Sequence, residues 1–159
     1  MIVLRKMTEN EYADWMKWSI SDYAKELAAT GKYSEAEAKE EAGESFHSYL
    51  ADGLSTPNHY LLVAENDNGI PVGMIWYETV NPSARAFIAD FVVYDEYRRM
   101  GYGSAILAEV ERILKLNAVP RIELHVFEHN TAAIKLYEKC GFTPVKVDDS
   151  LYMEKQIID

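Results

Sequence analysis

Residues 95–107, DEYRRMGYGSAIL, limit what this chain can fold into more than any other stretch. Just upstream, ARAFIADFVVY is rich in β-branched and aromatic residues and reads as a strand. Downstream, Ile106, Leu107, Val110, Ile113 and Leu114 recur at helical spacing. A strand therefore passes into a helix through Arg98, Arg99, Gly101 and Gly103, and the helix opens near Gly101 or Tyr102. The first turn of a helix has unpaired N–H groups and the positive end of the helix dipole. Glycines let the backbone turn tightly and approach a ligand closely, and two arginines add charge. Together these predict an anion site, most naturally for a phosphate or pyrophosphate. A Rossmann turn would need a third glycine where Ile106 stands, and the G-x-x-x-x-G-K-[ST] pattern of a P-loop is absent.

The other elements fall around this one. IVLRKM reads as a first strand. Thr8 and Glu11 have capping-box spacing, and Tyr12, Trp15, Met16, Tyr23 and Leu27 then share one helical face up to Gly31. A second helix follows Ser34, with Ala42, Phe46, Tyr49 and Leu50 inward and Gly53 as its stop. HYLLVAEND and PVGMIWYETV flank Asn68-Gly69, a hairpin signal. RIELHVFE alternates as a strand, NTAAIKLYEKCG is a short helix closed by Gly141, and TPVKVDD and LYMEKQI form a closing hairpin. The order β-α-α-β-β-β-α-β-α-β-β, without repeats or linkers, predicts a single α/β (α+β) domain over residues 1–159 around a mixed sheet.

Composition closes off several classes. The 159 residues are 48% hydrophobic, enough for a real core, yet no apolar run approaches the ~18 residues of a membrane span. The N-terminus lacks a secretory signal, and the lone Cys140 forms no internal disulfide, so a cytoplasmic setting is expected. Cys140 itself reads as a buried, unreactive thiol. His47, His59 and His129 have no metal-ligand spacing, so no metal is expected. A net charge of −10 speaks against a nucleic-acid partner and for cationic substrates such as amines. Residues 1–60 alone hold six Lys or Arg and eleven Asp or Glu. The run SEAEAKEEAGE within them reads as a solvated helix face. No membrane partner is expected, and a homodimer stays open.

Two motifs now carry a resemblance. YRRMGYGSAIL resembles the R/Q-x-x-G-x-G/A motif of the GNAT superfamily, the GCN5-related N-acetyltransferases, with Arg98, Gly101 and Gly103 at the matching positions. HNTAAIKLYEKCGF resembles that family's second motif, N-x-x-A-x-x-x-Y-x-x-x-G-F, through Asn130, Ala133, Tyr137, Gly141 and Phe142. The resemblance implies a mixed, mostly antiparallel sheet whose central parallel strands, FIADFVV and IELHVF, splay to admit acetyl-CoA. It implies that the backbone of Phe91, Val92 and Val93 pairs with the pantetheine arm. The N–H groups of Arg99, Met100, Gly101, Tyr102, Gly103 and Ser104 would hold the pyrophosphate, beside Arg98. Asn130 would lie near the pantetheine or the adenine-bearing half. The two N-terminal helices, with Tyr12, Trp15, Trp18 and Tyr23, would form the acceptor side, and Trp18 falls off their shared stripe. The region also resembles the polyamine-acetylating branch but departs from it at Ala89, where that branch carries a glutamate.

Chemistry narrows the catalytic candidates. An alkyl amine with a pKa of about 10.4 must lose a proton before it attacks a thioester, the tetrahedral intermediate needs an oxyanion donor, and the leaving thiolate benefits from a proton. Tyr137, a phenol protonated at neutral pH, suits the thiolate, and with both motifs present this reading outweighs that of a core aromatic. For the base, Asp90 on the strand leading to the loop stands first, with Glu78, Glu123, His125 and a water path as alternatives. Glu123 and His125 alternate on one face of their strand. The function expected is acetyl transfer from acetyl-CoA to a primary amine of a small molecule, peptide or protein by direct attack on the thioester. The alternative is a non-catalytic acyl-CoA-binding module.

Overall fold

The computed structural model describes residues 1–81, 84–147 and 150–159. Along the chain stand β1 (Val3–Lys6), α1 (Glu9–Ala29), α2 (Glu35–Tyr49), β2 (His59–Glu65), β3 (Pro71–Val80), β4 (Arg85–Val93), α3 (Tyr102–Leu116), β5 (Arg121–Val126), α4 (Thr131–Lys139), β6 (Thr143–Val147) and β7 (Ser150–Gln156). This is the order expected from sequence. Of the expected strand TPVKVDD, Asp148 and Asp149 lie outside the described residues. The chain divides into two compact units, Met7–His59 and the remainder.

In the helical unit, both helices start on complete capping boxes. Thr8 Oγ1 accepts from the Glu11 N–H at 3.2 Å while the Glu11 carboxylate accepts from the Thr8 N–H at 2.8 Å. Ser34 and Glu37 repeat the arrangement at 3.1 and 3.0 Å. Each box satisfies two donors that a helix end otherwise leaves open, and losing such a cap typically costs about 1 kcal/mol. Ala24, Ala38 and Ala42 are buried between the helices, and the rings of Trp15 and Tyr23 both pack edge-on to Phe46. Tyr49, expected inward, is 60% exposed. It is the last helical residue, and the chain leaves the helix at Leu50, which is turned inward in its place.

In the second unit the seven strands form one sheet in the order β1-β2-β3-β4-β5-β7-β6. β4 and β5 are parallel, joined by the α3 crossover that such a pair requires. The pairs β1–β2, β3–β4, β5–β7 and β6–β7 are antiparallel. Ile75, Tyr77, Ile88, Ile122, Leu124 and Met153 from the sheet pack with Ile106, Val110 and Leu114 of α3 in one buried cluster. Gly73 makes the fit possible. A Cβ there would stand 2.5 Å from the Val92 carbonyl oxygen and 3.2 Å from Ile106 Cδ1.

Candidate active site

β4 pairs with β5 only through Ala86↔Ile122, Phe87↔Glu123 and Ile88↔Leu124. On its other side it stays paired with β3 up to Val93. Trp76 faces Asp90 and Tyr77 faces Ile88, so Ala89 is the extra residue of a bulge. A bulge bends its strand and sharpens the local twist. Here it sits just past the last parallel pair, where β4 parts from β5. The two strands thus form a V, closed near Ile88 and open toward Val93.

Tyr94 N–H donates to the Val72 carbonyl at 2.9 Å. With Val93 opposite Gly73, this bond sets the antiparallel alternation. Val92 exchanges its main-chain groups with Met74, while those of Phe91 and Val93 point toward the open edge. Val92, expected to offer its backbone to a ligand, therefore spends it on β3, because successive residues aim their N–H and C=O at opposite edges. Two side chains already hold part of the open edge. Asp90 Oδ1 accepts from the Phe91 N–H at 2.9 Å, and Arg98 Nε donates to the Val93 carbonyl at 3.0 Å.

The loop from β4 to α3 is drawn tight. A 3₁₀ turn at Asp95–Tyr97 precedes Arg98, whose guanidinium also pairs with Asp95 at 3.0 Å. Arg98 thus braces the loop from within. Arg99 adopts φ +63° and Gly101 φ +84°. The first conformation costs a non-glycine residue on the order of 1 kcal/mol or more, a strain typical of ligand-binding loops. The ladder of α3 begins with the Ala105 N–H on the Gly101 carbonyl at 3.2 Å. The N–H groups of Tyr102, Gly103 and Ser104 precede it and lie outside the helical ladder. α1, α2 and α4 all carry side-chain N-caps, but α3 has none. Its donors, with the helix dipole behind them, suit an anion. At Gly103 a Cβ would stand 3.0 Å from Leu136 and 3.7 Å from Val93, so this glycine lets α3 sit against α4 and β4.

α4 brings the remaining groups. Asn130 caps it, Oδ1 accepting from the Ala133 N–H at 3.2 Å. Tyr137 is 8% exposed, its ring 6.4 Å from that of Phe91 and 5.7 Å from that of Phe142. Its hydroxyl makes no hydrogen bond among the described residues, yet it is not sealed from solvent as the partnerless Ser19 hydroxyl is. Burial pushes its pKa up to about 12, helped by the negative field of Asp90 and then by Cys140. Desolvation disfavours the phenolate, and a nearby carboxylate disfavours it further. Asp90, Phe91 and Tyr137 therefore meet at the open edge of β4, and the loop of Arg98 to Ser104 follows from its end.

Other candidates lie elsewhere. The Glu123 carboxylate is held by Arg85 at 2.9 Å and by Arg121 at 2.9 and 2.8 Å. Both arginines bind it at the closed end of the V, where β4 and β5 still pair. Cys140, expected to be buried, is half-buried, its Sγ 3.7 Å from Ser104 Oγ on the wall of a cavity of about 260 Å³ between α3 and α4. Sequence reading missed the Ala89 bulge and the bracing by Arg98. A lone alanine in an apolar strand carries no bulge signal, and the Arg98 contact depends on where the loop folds back.

Residues 13–142 match the model of the acetyltransferase (GNAT) family. YdgE of Bacillus subtilis (strain 168), described as an uncharacterized N-acetyltransferase, is 30% identical over 146 residues, 91% of this chain and 93% of its own. YycN of the same organism, described likewise, is 32% identical over 148 residues, 92% of this chain and 95% of its own. The crystal structure of YycN superimposes with a TM-score of 0.84, covering 92% of this chain and 95% of that one. The PaiA N-acetyltransferase of Thermoplasma acidophilum, solved in complex with coenzyme A, has the same fold at 21% identity and a TM-score of 0.68, covering 98% and 99%. This chain belongs to the GNAT acetyltransferase family. It is an acyltransferase that moves an acetyl group to an amine.

Proposed function

We propose that residues 1–159 act as one N-acetyltransferase domain that binds acetyl-CoA in the V between β4 and β5 and passes its acetyl group to a primary amine. The residues present fit the cofactor. The Phe91 carbonyl and the Val93 N–H, the groups of the open edge that Asp90 and Arg98 leave over, suit the amides of a pantetheine arm. The N–H groups from Arg99 to Ser104, the side chain of Arg99 and the dipole of α3 suit its pyrophosphate. Arg98 keeps that loop in shape, and Met100 and Tyr102 belong to the same turn. Asn130 holds α4 in place beside the arm.

The observation that carries this reading is Tyr137, its ring packed beside Phe91 and its hydroxyl without a hydrogen-bond partner among the described residues yet open to a ligand. A thiol ordinarily has a pKa near 8.5, whereas this phenol is pushed up to about 12. Tyr137 therefore keeps its proton and donates a hydrogen bond to the departing sulfur rather than surrendering the proton outright. Burial holds the phenol neutral, and the charge of Asp90 adds to it. Amine attack forms a C–N bond at the acetyl carbonyl, the Val93 N–H at the strand edge stabilises the oxyanion, and the C–S bond then breaks as the sulfur leaves and the nitrogen gives up its proton.

The test is Tyr137→Phe, assayed by thiol release with acetyl-CoA and a panel of amines. Loss of one preorganised donor typically costs about 10²–10³-fold in kcat. CoA affinity and thermal stability should change little, because the ring remains. An unchanged kcat would return Tyr137 to a packing role. Amine-independent hydrolysis alone in the wild type would favour the CoA-binding module over the enzyme.

The acceptor is an amine of a small molecule or peptide. Its cationic form is favoured by charge, since Met7–His59 hold four Lys or Arg but eleven Asp or Glu. Such a field concentrates cations.

A further inference from the structure

An alkyl ammonium ordinarily holds its proton to about pH 10.4, so at neutral pH a base must stand where the acceptor arrives. Tyr137 packs with α3 on one face of the sheet, in the same cluster as Ile122, Leu124 and Val126 of β5. Side chains alternate along a strand, so His125 emerges on the opposite face. It follows Leu124 directly, the last residue of β5 paired to β4, and so stands at the lip of the V. The His125 ring is exposed, and neither of its nitrogens has a hydrogen-bond partner among the described residues. Phe127 and Tyr152 hold it edge-on, with ring centroids at 5.3 and 5.2 Å, and Tyr152 is its cross-strand partner on β7.

We infer that His125 is the general base of the reaction, taking the proton of the acceptor ammonium on the sheet face opposite Tyr137. The inference rests on the acetyltransfer reading above. Imidazole is the side chain whose charge change falls in the neutral range. Asp90, on the adjacent strand β4 just past the last pair with β5, accepts from the Phe91 N–H, and the ionisable groups along β5 and β7 are differently placed. Glu123, two residues back on β5, is held by two arginines. Glu154 lies across from Glu123 on β7, two residues from Tyr152. His129 stacks on Phe127 at 5.5 Å, and Glu128 pairs with Lys146. Proton flow balances. The ammonium gives one proton to His125, and the neutral nitrogen attacks the thioester carbonyl. The resulting N–C adduct loses its second proton to solvent as the C–S bond breaks. The sulfur leaves as thiolate, hydrogen-bonded to Tyr137, and His125 later releases its proton to water. Base and leaving-group donor stand on opposite sides of one strand, which keeps the ammonium away from the phenol.

The experiment compares wild type with His125→Gln and His125→Ala across pH, using an alkylamine and an acceptor whose amine is already neutral at pH 7, such as an arylamine. The expected loss in kcat/KM with the alkylamine at pH 7 is about 10²–10⁴-fold. It should shrink as pH approaches the amine's own pKa and be small for the arylamine. Added imidazole should restore part of the His125→Ala rate, and CoA affinity by calorimetry should be unchanged. A loss that is constant across pH and equal for both acceptors would make His125 merely structural, and no loss would remove it from the reaction; either result overturns the inference. Wild-type thiol release that does not depend on amine would overturn the acetyltransfer reading itself, and the inference with it.

Discussion

Adding one methyl group at two glycines should move stability in opposite directions, and only one of the two should touch the cofactor. At Gly73 a new Cβ lands 2.5 Å from the Val92 carbonyl oxygen, 3.2 Å from Ile106 Cδ1 and 3.3 Å from Val93 Cα. Two of these neighbours are backbone atoms of the strand that forms the V, and backbone yields only by moving. Overpacking of this kind costs about 1–3 kcal/mol. For a chain of this size each kcal/mol is worth roughly 2–4 °C, so Gly73→Ala should melt about 2–12 °C below wild type. It should also weaken CoA binding, because the strand that shifts carries Phe91 and Val93. Gly43 lies inside α2 with nothing within 4 Å of a new Cβ. There Ala removes backbone freedom from the unfolded chain and should stabilise by about 0.5–1 kcal/mol without changing CoA affinity. Calorimetric melting and CoA titration of both variants provide the assay. Wild-type melting and affinity for Gly73→Ala would refute the tight packing of β3, β4 and α3 on which the cleft depends.

Gly101→Glu puts a negative charge at the start of α3, and calorimetry should find CoA binding severely weakened; wild-type affinity would remove the pyrophosphate from this loop. The pKa of Tyr137, like that of Tyr77, is pushed up to about 12 by burial. A raised folded-state pKa means stability that is complete below the unfolded value near 10 and lost as pH climbs toward 12, by at most roughly 2–3 kcal/mol per group. Tyr137→Phe should therefore flatten the fall of melting temperature over that window, and an identical slope would contradict the burial argument. Raising ionic strength should raise KM for a cationic amine more than for a neutral acceptor of similar size, since salt screens the field of the acidic helical unit; equal effects would remove charge as a guide to the acceptor.

Local chemistry was legible in the sequence because it is written in adjacent residues. Thr8 with Glu11 closes the capping box their spacing announces, the second helix starts after Ser34 as expected, and Gly101 takes the left-handed turn its place before α3 demands. Trp18, off the stripe of its neighbours, is 54% exposed. What sequence could not give were relations between distant segments. β7 inserts between β5 and β6, so the closing hairpin meets the sheet through its second strand. Glu123 looked available as a base until Arg85, 38 residues earlier, came to rest beside it. Val92 looked equivalent to its neighbours until the Tyr94–Val72 bond set which edge each residue serves. Asn130, the first residue of the second motif, caps α4, a helix role that spacing alone does not separate from a place at the cofactor.

A crystal structure with CoA bound tests the central claim most directly. The pyrophosphate should rest on the N–H groups of Tyr102, Gly103 and Ser104, the pantetheine amides should pair with Phe91 and Val93, and the sulfur should lie within hydrogen-bonding distance of the Tyr137 hydroxyl. CoA seated instead in the cavity beside Cys140 and Glu111, with the V between β4 and β5 empty, would contradict the account.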